Sequence, residues 1–415
     1  MTSDRPFRGL FGHGQQGTLG HSLDVNATIL GAYDSDLVAD AGIVTPGAPR
    51  VDGYYTMLQT GGSYKWASSA LELGITGASA FRSYGSLGDT HGVSHSAGVG
   101  LSSQIARHTK VALNQSVAYS PAYLYALFPN VADVPLGDAP PTAPNYDVDQ
   151  TSSLALGTSG SLTQSVGQRT TVAGQVDYND TDFTNSSGRR SMTTYGGRAE
   201  WSRRMRRHAS MTAEYHYRRA DFGVALSRMG TDQGIQVGFE NTRVLSATRK
   251  ARYSFGLGVS QADVPPVLAA STREAEKLYR FAADAAFAYE FSRTGEVRGS
   301  YHRGVEYLAE LTQPVFVDSV SAAISGSLTR RWNVAVSGGY SSGASAVNAS
   351  STFDTYTGDV RTQFALTSVM GIYVESLYYL YDFRGTLLLA PTLPRRLERA
   401  GVRAGLTFST PVIKR

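Results

Sequence analysis

The sequence predicts an all-β protein: a transmembrane, antiparallel, up-and-down β-barrel of about 18 strands, within a range of about 16–20. Three observations carry that expectation. The first is strict alternation in one hairpin. Tyr279, Phe281, Ala283, Ala285, Phe287, Tyr289 and Phe291 alternate with a set containing Arg280, Asp284 and Glu290. After Ser292-Arg293-Thr294-Gly295 the chain returns as Val297, Gly299, Tyr301, Arg303 and Val305, alternating with Arg298, Ser300, His302 and Glu306. Period two places each set on its own strand face, and a short turn containing Gly makes the pair an antiparallel hairpin. The second observation is that this unit recurs about nine times along the chain. The third is that short turns alternate with longer polar segments, as in barrels whose short turns share one rim.

Composition agrees. The chain has 415 residues, 17% of them charged, with 44 Gly and 24 Tyr. Mean hydropathy is only −0.20, because apolar and polar residues interleave instead of forming the run of about twenty that a membrane helix needs. A barrel with an apolar outside and a wet inside has that average. There is no cysteine, which excludes disulfides, thiolate metal sites and Cys nucleophiles and fits a cell-envelope barrel. Net charge is +4, with Arg far outnumbering Lys. The Arg residues are spread singly along alternating strands, without the basic stripe of a nucleic-acid binder, so no nucleic acid is expected. Met1 to Gly20 lacks the apolar core of a signal peptide, so the sequence is read as a mature or truncated chain.

In chain order, residues 1–16 read as an N-terminal periplasmic tail and 17–410 as a single barrel. The first strand is expected at about Leu19–Tyr33, with Leu23, Val25, Ala27 and Ile29 opposite Asp24, Asn26 and Thr28. Tight turns are expected near residues 67, 108, 168, 205, 248, 293, 331 and 369. Aromatic residues at strand ends (Tyr33, Trp66, Phe81, Tyr119, Trp201, Phe291, Trp332, Tyr340, Phe383) are expected to form the interfacial girdles.

The closing segment Gly401-Val402-Arg403-Ala404-Gly405-Leu406-Thr407-Phe408 looks like the C-terminal strand signal of outer-membrane barrels, although here the chain runs on to Lys414-Arg415. The whole chain, including Arg5-Pro6-Phe7-Arg8-Gly9-Leu10-Phe11-Gly12, resembles a family of β-barrel porins, some of which accompany exopolysaccharide-export machinery. The resemblance implies an outer-membrane, porin-like channel in a Gram-negative-type bacterium and supplies no substrate.

Pore-lining candidates follow from the polar phase of each strand: Glu72, Arg82, Arg198, Glu200, Glu214, Arg218, Arg252, Arg280, Asp284, Glu290, Arg298, Arg361, Arg399 and Arg403, with Asp24, Asn26, His216, Glu240 and Glu306 in the same phase. Mixed charge across a pore orients dipolar or anionic solutes, or simply pairs along a wet wall. The longest break, 121–150, holds Asp133, Asp138, Asp147 and Asp149 with Tyr123 and Tyr125 and has no Lys or Arg. It reads as a third external loop that either folds inward as a constriction or lies solvated at the surface. Tyr373, Tyr379 and Tyr381 are read first as a girdle or a subunit contact, and second as a lumen ladder for sugar rings. Arg203, Arg204, Arg206 and Arg207 read as a solvated basic turn, with docking of an acidic partner as the alternative.

The eight His are scattered without HExxH or paired metal-ligand spacing. No catalytic, cofactor or metal residue is assigned. The expected partners are outer-membrane lipid, the barrel assembly machinery, and small hydrophilic solutes or a polysaccharide, with an oligomer allowed. The expected function is a diffusion channel. A non-conducting barrel acting as an adhesin or an assembly and export partner is the alternative, and a barrel hydrolase is third.

Overall fold

The computed structural model describes residues 20–37, 51–88, 90–120, 152–183, 190–223, 228–264, 276–308, 313–345, 352–384 and 396–414. Their strands are β1 (Gly20–Asp34), β2 (Gly53–Ala67), β3 (Leu71–Tyr84), β4 (Thr90–Ala106), β5 (Thr109–Ser120) and β6 (Ser153–Val166). Next come β7 (Thr170–Phe183), β8 (Arg190–Arg206), β9 (Ala209–Phe222), β10 (Arg228–Val244), β11 (Lys250–Val264) and β12 (Glu276–Glu290). The last six are β13 (Glu296–Leu308), β14 (Gln313–Ser327), β15 (Trp332–Ser345), β16 (Thr352–Ala365), β17 (Met370–Arg384) and β18 (Arg396–Lys414). Each strand pairs antiparallel with its sequence neighbours, and β1 pairs β18, so the 18-stranded sheet closes on itself. No helix among the described residues is long and apolar enough to cross a membrane.

Side-chain alternation sets the two faces. In β11, Phe255, Leu257 and Val259 are each at least half exposed, while Gly256 and Ser260 between them are buried. In β17, Ile372, Val374 and Tyr378 point outward and Tyr373, Glu375, Leu377, Tyr379 and Tyr381 are buried inward. The exposed apolar side chains form a band around the barrel, the pattern that a surrounding hydrocarbon requires. Eight of the nine girdle candidates lie in this outward phase. Phe383 is the exception: it is buried inside against Tyr381, 4.3 Å between ring centres, because it shares the parity of the inward tyrosines.

The eight tight turns fall where the sequence places them, all at one rim. The β6–β7 turn illustrates why it can be so short: Gly167 takes φ +80°, a left-handed conformation that costs any side chain but is free for glycine. At Ser68 the side chain itself closes the turn, accepting from the Leu71 amide at 3.1 Å. The last strand runs past Phe408 to Lys414, with a bulge opposite Leu23/Asp24. The tail 1–16 and the 121–150 segment, with Asp133, Asp138, Asp147, Asp149, Tyr123 and Tyr125, lie outside the described residues.

The closure is uneven in one place. Every neighbouring pair holds its ladder over most of its length except β12 and β13, which pair only from Ala283↔Arg303 to Glu290↔Glu296. Beyond that point β12 stays with β11 up to Val264↔Glu276, and β13 stays with β14 up to Leu308↔Gln313. The freed end of β13 turns into the barrel. Val305 and Tyr307 pack with Ala220, Phe222 and Ala262 on the inner wall, and a Cβ on Gly230 would meet the Tyr307 ring at 2.7 Å.

If the outward band faces hydrocarbon, Leu257→Arg near mid-strand should destabilise the refolded barrel by about 2–4 kcal/mol, whereas Ser254→Arg on the inner face should cost far less. Denaturant titration in lipid vesicles measures both.

Candidate functional site

All the candidate lumen residues fall in the inward phase of their strands. In β9, Met211, Tyr215 and Tyr217 are exposed outward while Glu214, His216 and Arg218 share the opposite face with Asp232 of β10. By the same parity Asp24, Asn26, Glu72, Arg82, Arg198, Glu200, Glu240, Arg252, Arg280, Asp284, Glu290, Arg298, Glu306, Arg361, Arg399 and Arg403 point inward. The structure then divides them into two groups that alternation cannot separate.

One group is buried. On β16, β17 and β18, Glu375 lies between Arg361 and Arg403. Arg361 donates to Glu375 Oε1 through Nε at 3.1 Å and Nη2 at 2.6 Å, and Arg403 Nε donates to the other oxygen. One carboxylate between two guanidiniums is compensated on both sides, which is what allows three ionised groups to sit at 3% exposure or less. Across the β18–β1 closure, Arg399 forks onto Asp34, with Nε to Oδ2 at 2.9 Å. Arg82 of β3 lies over the Tyr55 ring at 5.2 Å. Around these charges Tyr379, Tyr381 and Phe353 stack, with 5.6 Å between the rings of Phe353 and Tyr381. The first reading of Tyr373, Tyr379 and Tyr381, as a girdle or subunit contact, is therefore corrected: Tyr378 occupies the outward phase and these three face inward. They are nevertheless 2% exposed or less, so their faces are committed to packing rather than open to a passing ring.

The second group is partly exposed and surrounds the buried Asp232. On β8 to β13 a cavity of about 690 Å³ opens against the inner wall, lined by Arg198, Glu214, His216, Arg218, Asp232, Gln236, Asp284, His302 and Glu306. Its charges form one connected chain. Gln236 donates to Asp284 at 2.9 Å, and Asp284 meets His302 Nδ1 at 2.6 Å. His302 Nε2 lies 3.4 Å from Glu306, and Glu306 is 3.3 Å from Arg218. Arg218 and His216 share Asp232, at 3.6 Å and 3.3 Å. Arg218 also donates to the Val305 carbonyl, and its guanidinium lies over the Tyr307 ring at 4.9 Å. The chain of charges thus holds the inturned end of β13 against β9. Lower on the wall, Arg252–Glu290 at 3.5 Å and Arg298–Glu296 at 2.8 Å pair acid with base. Arg280 lies over the Phe316 ring at 4.9 Å.

Asp34, Asp232 and Glu375 were not among the sequence candidates. A parity signal existed for two of them: Glu375 shares the phase of Tyr373 and Tyr379, and Asp232 that of Gln236 and Glu240. Asp34 had none, since it reads as the start of a loop. His91 and His95 are in the outward phase beside Phe81 and Tyr119. Arg203, Arg204, Arg206 and Arg207 are exposed at the short-turn rim, where β8 carries a bulge. Among the described residues no three potential ligands gather to hold a metal.

The antiparallel sheet closes on itself, parting only between β12 and β13 beyond Ala283↔Arg303 among the described residues, and an apolar belt around a polar interior suits only one surrounding solvent. The chain is an antiparallel transmembrane β-barrel. No family profile matches it, and no curated protein does. Solved structures similar to it include OccK7 (OpdD) of Pseudomonas aeruginosa, at 10% identity and TM-score 0.46, covering 95% of this chain and 99% of that one. The FrpB iron transporter of Neisseria meningitidis is similar at 6% identity and TM-score 0.48, covering 95% and 82%. The ferric-catecholate import receptor Fiu of E. coli K12, in its open form, is similar at 6% identity and TM-score 0.46, covering 96% and 82%.

Replacing Glu375 by Gln should leave Arg361 and Arg403 without their carboxylate and cost about 3–5 kcal/mol. Chemical denaturation of the vesicle-inserted protein gives that number, and a loss under about 1 kcal/mol would mean the charges are solvated after all.

Proposed function

We propose that the protein is an outer-membrane channel that passes small hydrophilic solutes by diffusion, without catalysis or a cofactor. The observation that carries this reading is the partly exposed, charged inner wall of β8 to β13. A barrel of 18 strands is too wide for its own side chains to fill, and the lining of the cavity on β8 to β13 carries acids and bases, among them Arg198, Glu214, Arg218, Asp284 and Glu306, set among glycine, alanine and aromatic residues. Such a wall attracts water, and its paired charges give a dipolar solute contacts that are easily exchanged. Selectivity would come from width and from the more exposed charges, Arg198 and Arg298 among them. A polysaccharide chain is the narrower form of the same proposal, supported by the width of an 18-stranded barrel and by the family resemblance. Outer-membrane lipid and the barrel assembly machinery are its expected partners on the same grounds.

A second reading, a non-conducting barrel acting as an adhesin or an assembly partner, is favoured by a specific observation. The inner faces of β16, β17, β18, β1 and β2 are buried, and the end of β13 turns into the lumen. Single-channel recording of the refolded protein in a planar bilayer separates the two. Discrete conductance steps that added oligosaccharides block are the expected outcome; a silent bilayer with insertion demonstrated independently would favour the closed barrel. In the conducting case, Arg198→Glu with Arg298→Glu should move the reversal potential in a salt gradient toward cation preference, because it reverses two exposed charges of the wet wall.

A further inference from the structure

The outer end of the β13–β14 hairpin has residues suited to two seats, and the structure shows it in one of them. In that seat the end lies inside the barrel. Val305 and Tyr307 of β13 and Phe316 of β14 share the phase of Tyr301, Arg303, Asp318 and Val320, which look outward nearer the short-turn rim. Beyond the last β12–β13 pair, Ala283↔Arg303, that phase turns onto the inner wall and packs with Ala220, Phe222 and Ala262 of β9 and β11. The Tyr307 ring occupies the space a side chain on Gly230 would need and stands 6.3 Å from the Phe222 ring. Arg218 latches the arrangement. It lies over Tyr307 and donates to Glu306 at 3.3 Å and to the Val305 carbonyl, while Arg280 lies over Phe316.

The second seat is the ladder that β12 and β13 leave unfinished. Their register is regular from Glu290↔Glu296 to Ala283↔Arg303. Carried on without a shift, it sets Gly304 opposite Ala282, Val305 opposite Phe281, Glu306 opposite Arg280 and Tyr307 opposite Tyr279. Each of these juxtapositions suits the face on which it falls. Phe281 and Tyr279 point outward, 52% and 63% exposed, so Val305 and Tyr307 would extend an apolar outer face. Inside, Glu306 would meet Arg280, and the small pair Gly304 and Ala282 obstructs nothing. One apolar contact thus replaces another, and Glu306 exchanges one arginine for a second. Two packings of one element that trade like for like make it bistable.

We propose that the outer end of β13–β14 is a gate that moves between these seats, narrowing the lumen when it lies on β9 and β11 and widening it when it zips onto β12. Gly304, Val305 and Glu306 line the cavity on β8 to β13 in the inturned seat, so zipping removes one of its walls and joins it to the lumen. The exchange of seats stands on the strand geometry; its effect on passage rests on the channel reading above.

The test uses the full chain inserted in lipid vesicles, and the chain has no native cysteine. Phe281→Cys with Val305→Cys is oxidised beside Ala285→Cys with Tyr301→Cys, a pair of the same phase that already stands opposite in the ladder. In the inturned seat the side chains at 281 and 305 lie on opposite sides of the wall, and such a pair is not bridged without backbone movement. Formation of the 281–305 disulfide is the expected result. Arg218→Gln in the same background should speed it several-fold by releasing Glu306, and Arg280→Glu should slow it several-fold by setting a like charge opposite Glu306. A 285–301 disulfide without a 281–305 disulfide would overturn the exchange. Rates that respond to neither arginine would overturn it too, since they describe a frayed strand end with no second seat. In a planar bilayer the oxidised 281–305 protein should show larger current steps than its reduced form, and equal steps would overturn the gate. A disulfide formed in a barrel silent in both forms would instead overturn the channel reading and support the exchange of seats.

Discussion

Backbone hydrogen bonding is the constraint on which the rest of this structure depends. In hydrocarbon each amide and carbonyl must find a partner within the protein, and a sheet can supply them all only by closing. The β1–β18 ladder does this, running from Ser22↔Lys414 to Asp34↔Gly401. Closure needs an even number of strands if both ends are to lie at one rim, and it accounts for the last strand extending beyond Phe408: Ser409, Thr410, Pro411, Ile413 and Lys414 pair with residues 22–26 of β1. The apolar band, the short-turn rim and the polar interior are then consequences of which face of each strand meets which solvent.

Inside the barrel the physics changes, because an inward residue can meet either water or protein. On β16, β17, β18 and β1, charges are buried and neutralised in fixed geometry, with Glu375 between two guanidiniums and Asp34 gripped by Arg399. On β8 to β13 the same kinds of residue stay partly exposed and form chains of longer contacts around the cavity. The first arrangement stiffens the wall and joins its ends. The second leaves groups able to exchange partners with water or a solute, which is the property a channel wall requires. The inturned end of β13 links the two themes: its Val305 and Tyr307 add a small apolar core inside the lumen, and Glu306 anchors it to Arg218.

Much of this architecture was legible in the residues. Period-two alternation assigns faces because successive side chains on a strand point in opposite directions, and it needs no knowledge of distant partners. The turns were legible for a similar reason, since Gly167 or Ser68 closes a turn through its own backbone or hydroxyl. Alternation is silent about depth, however. It put Glu72, which is exposed, and Arg403, which is buried, in one class, and it let the inward tyrosines of β17 pass for a girdle because that strand is aromatic in both phases.

The residues alone therefore settle local features: a strand count within about 16–20, the turn positions and the side of the wall on which each residue lies. Tertiary structure alone decided which inward charges are buried together, since Asp34 and Arg399 meet only because the first and last strands close. It also decided where the β12–β13 ladder stops. Both strands read as regular and uninterrupted through Phe281 and Val305, and nothing in either pattern marks the point of parting. That point follows from a competition between continued pairing and the packing of Val305 and Tyr307 against Phe222 and Ala262, residues far away in the chain that only the closed barrel brings within reach.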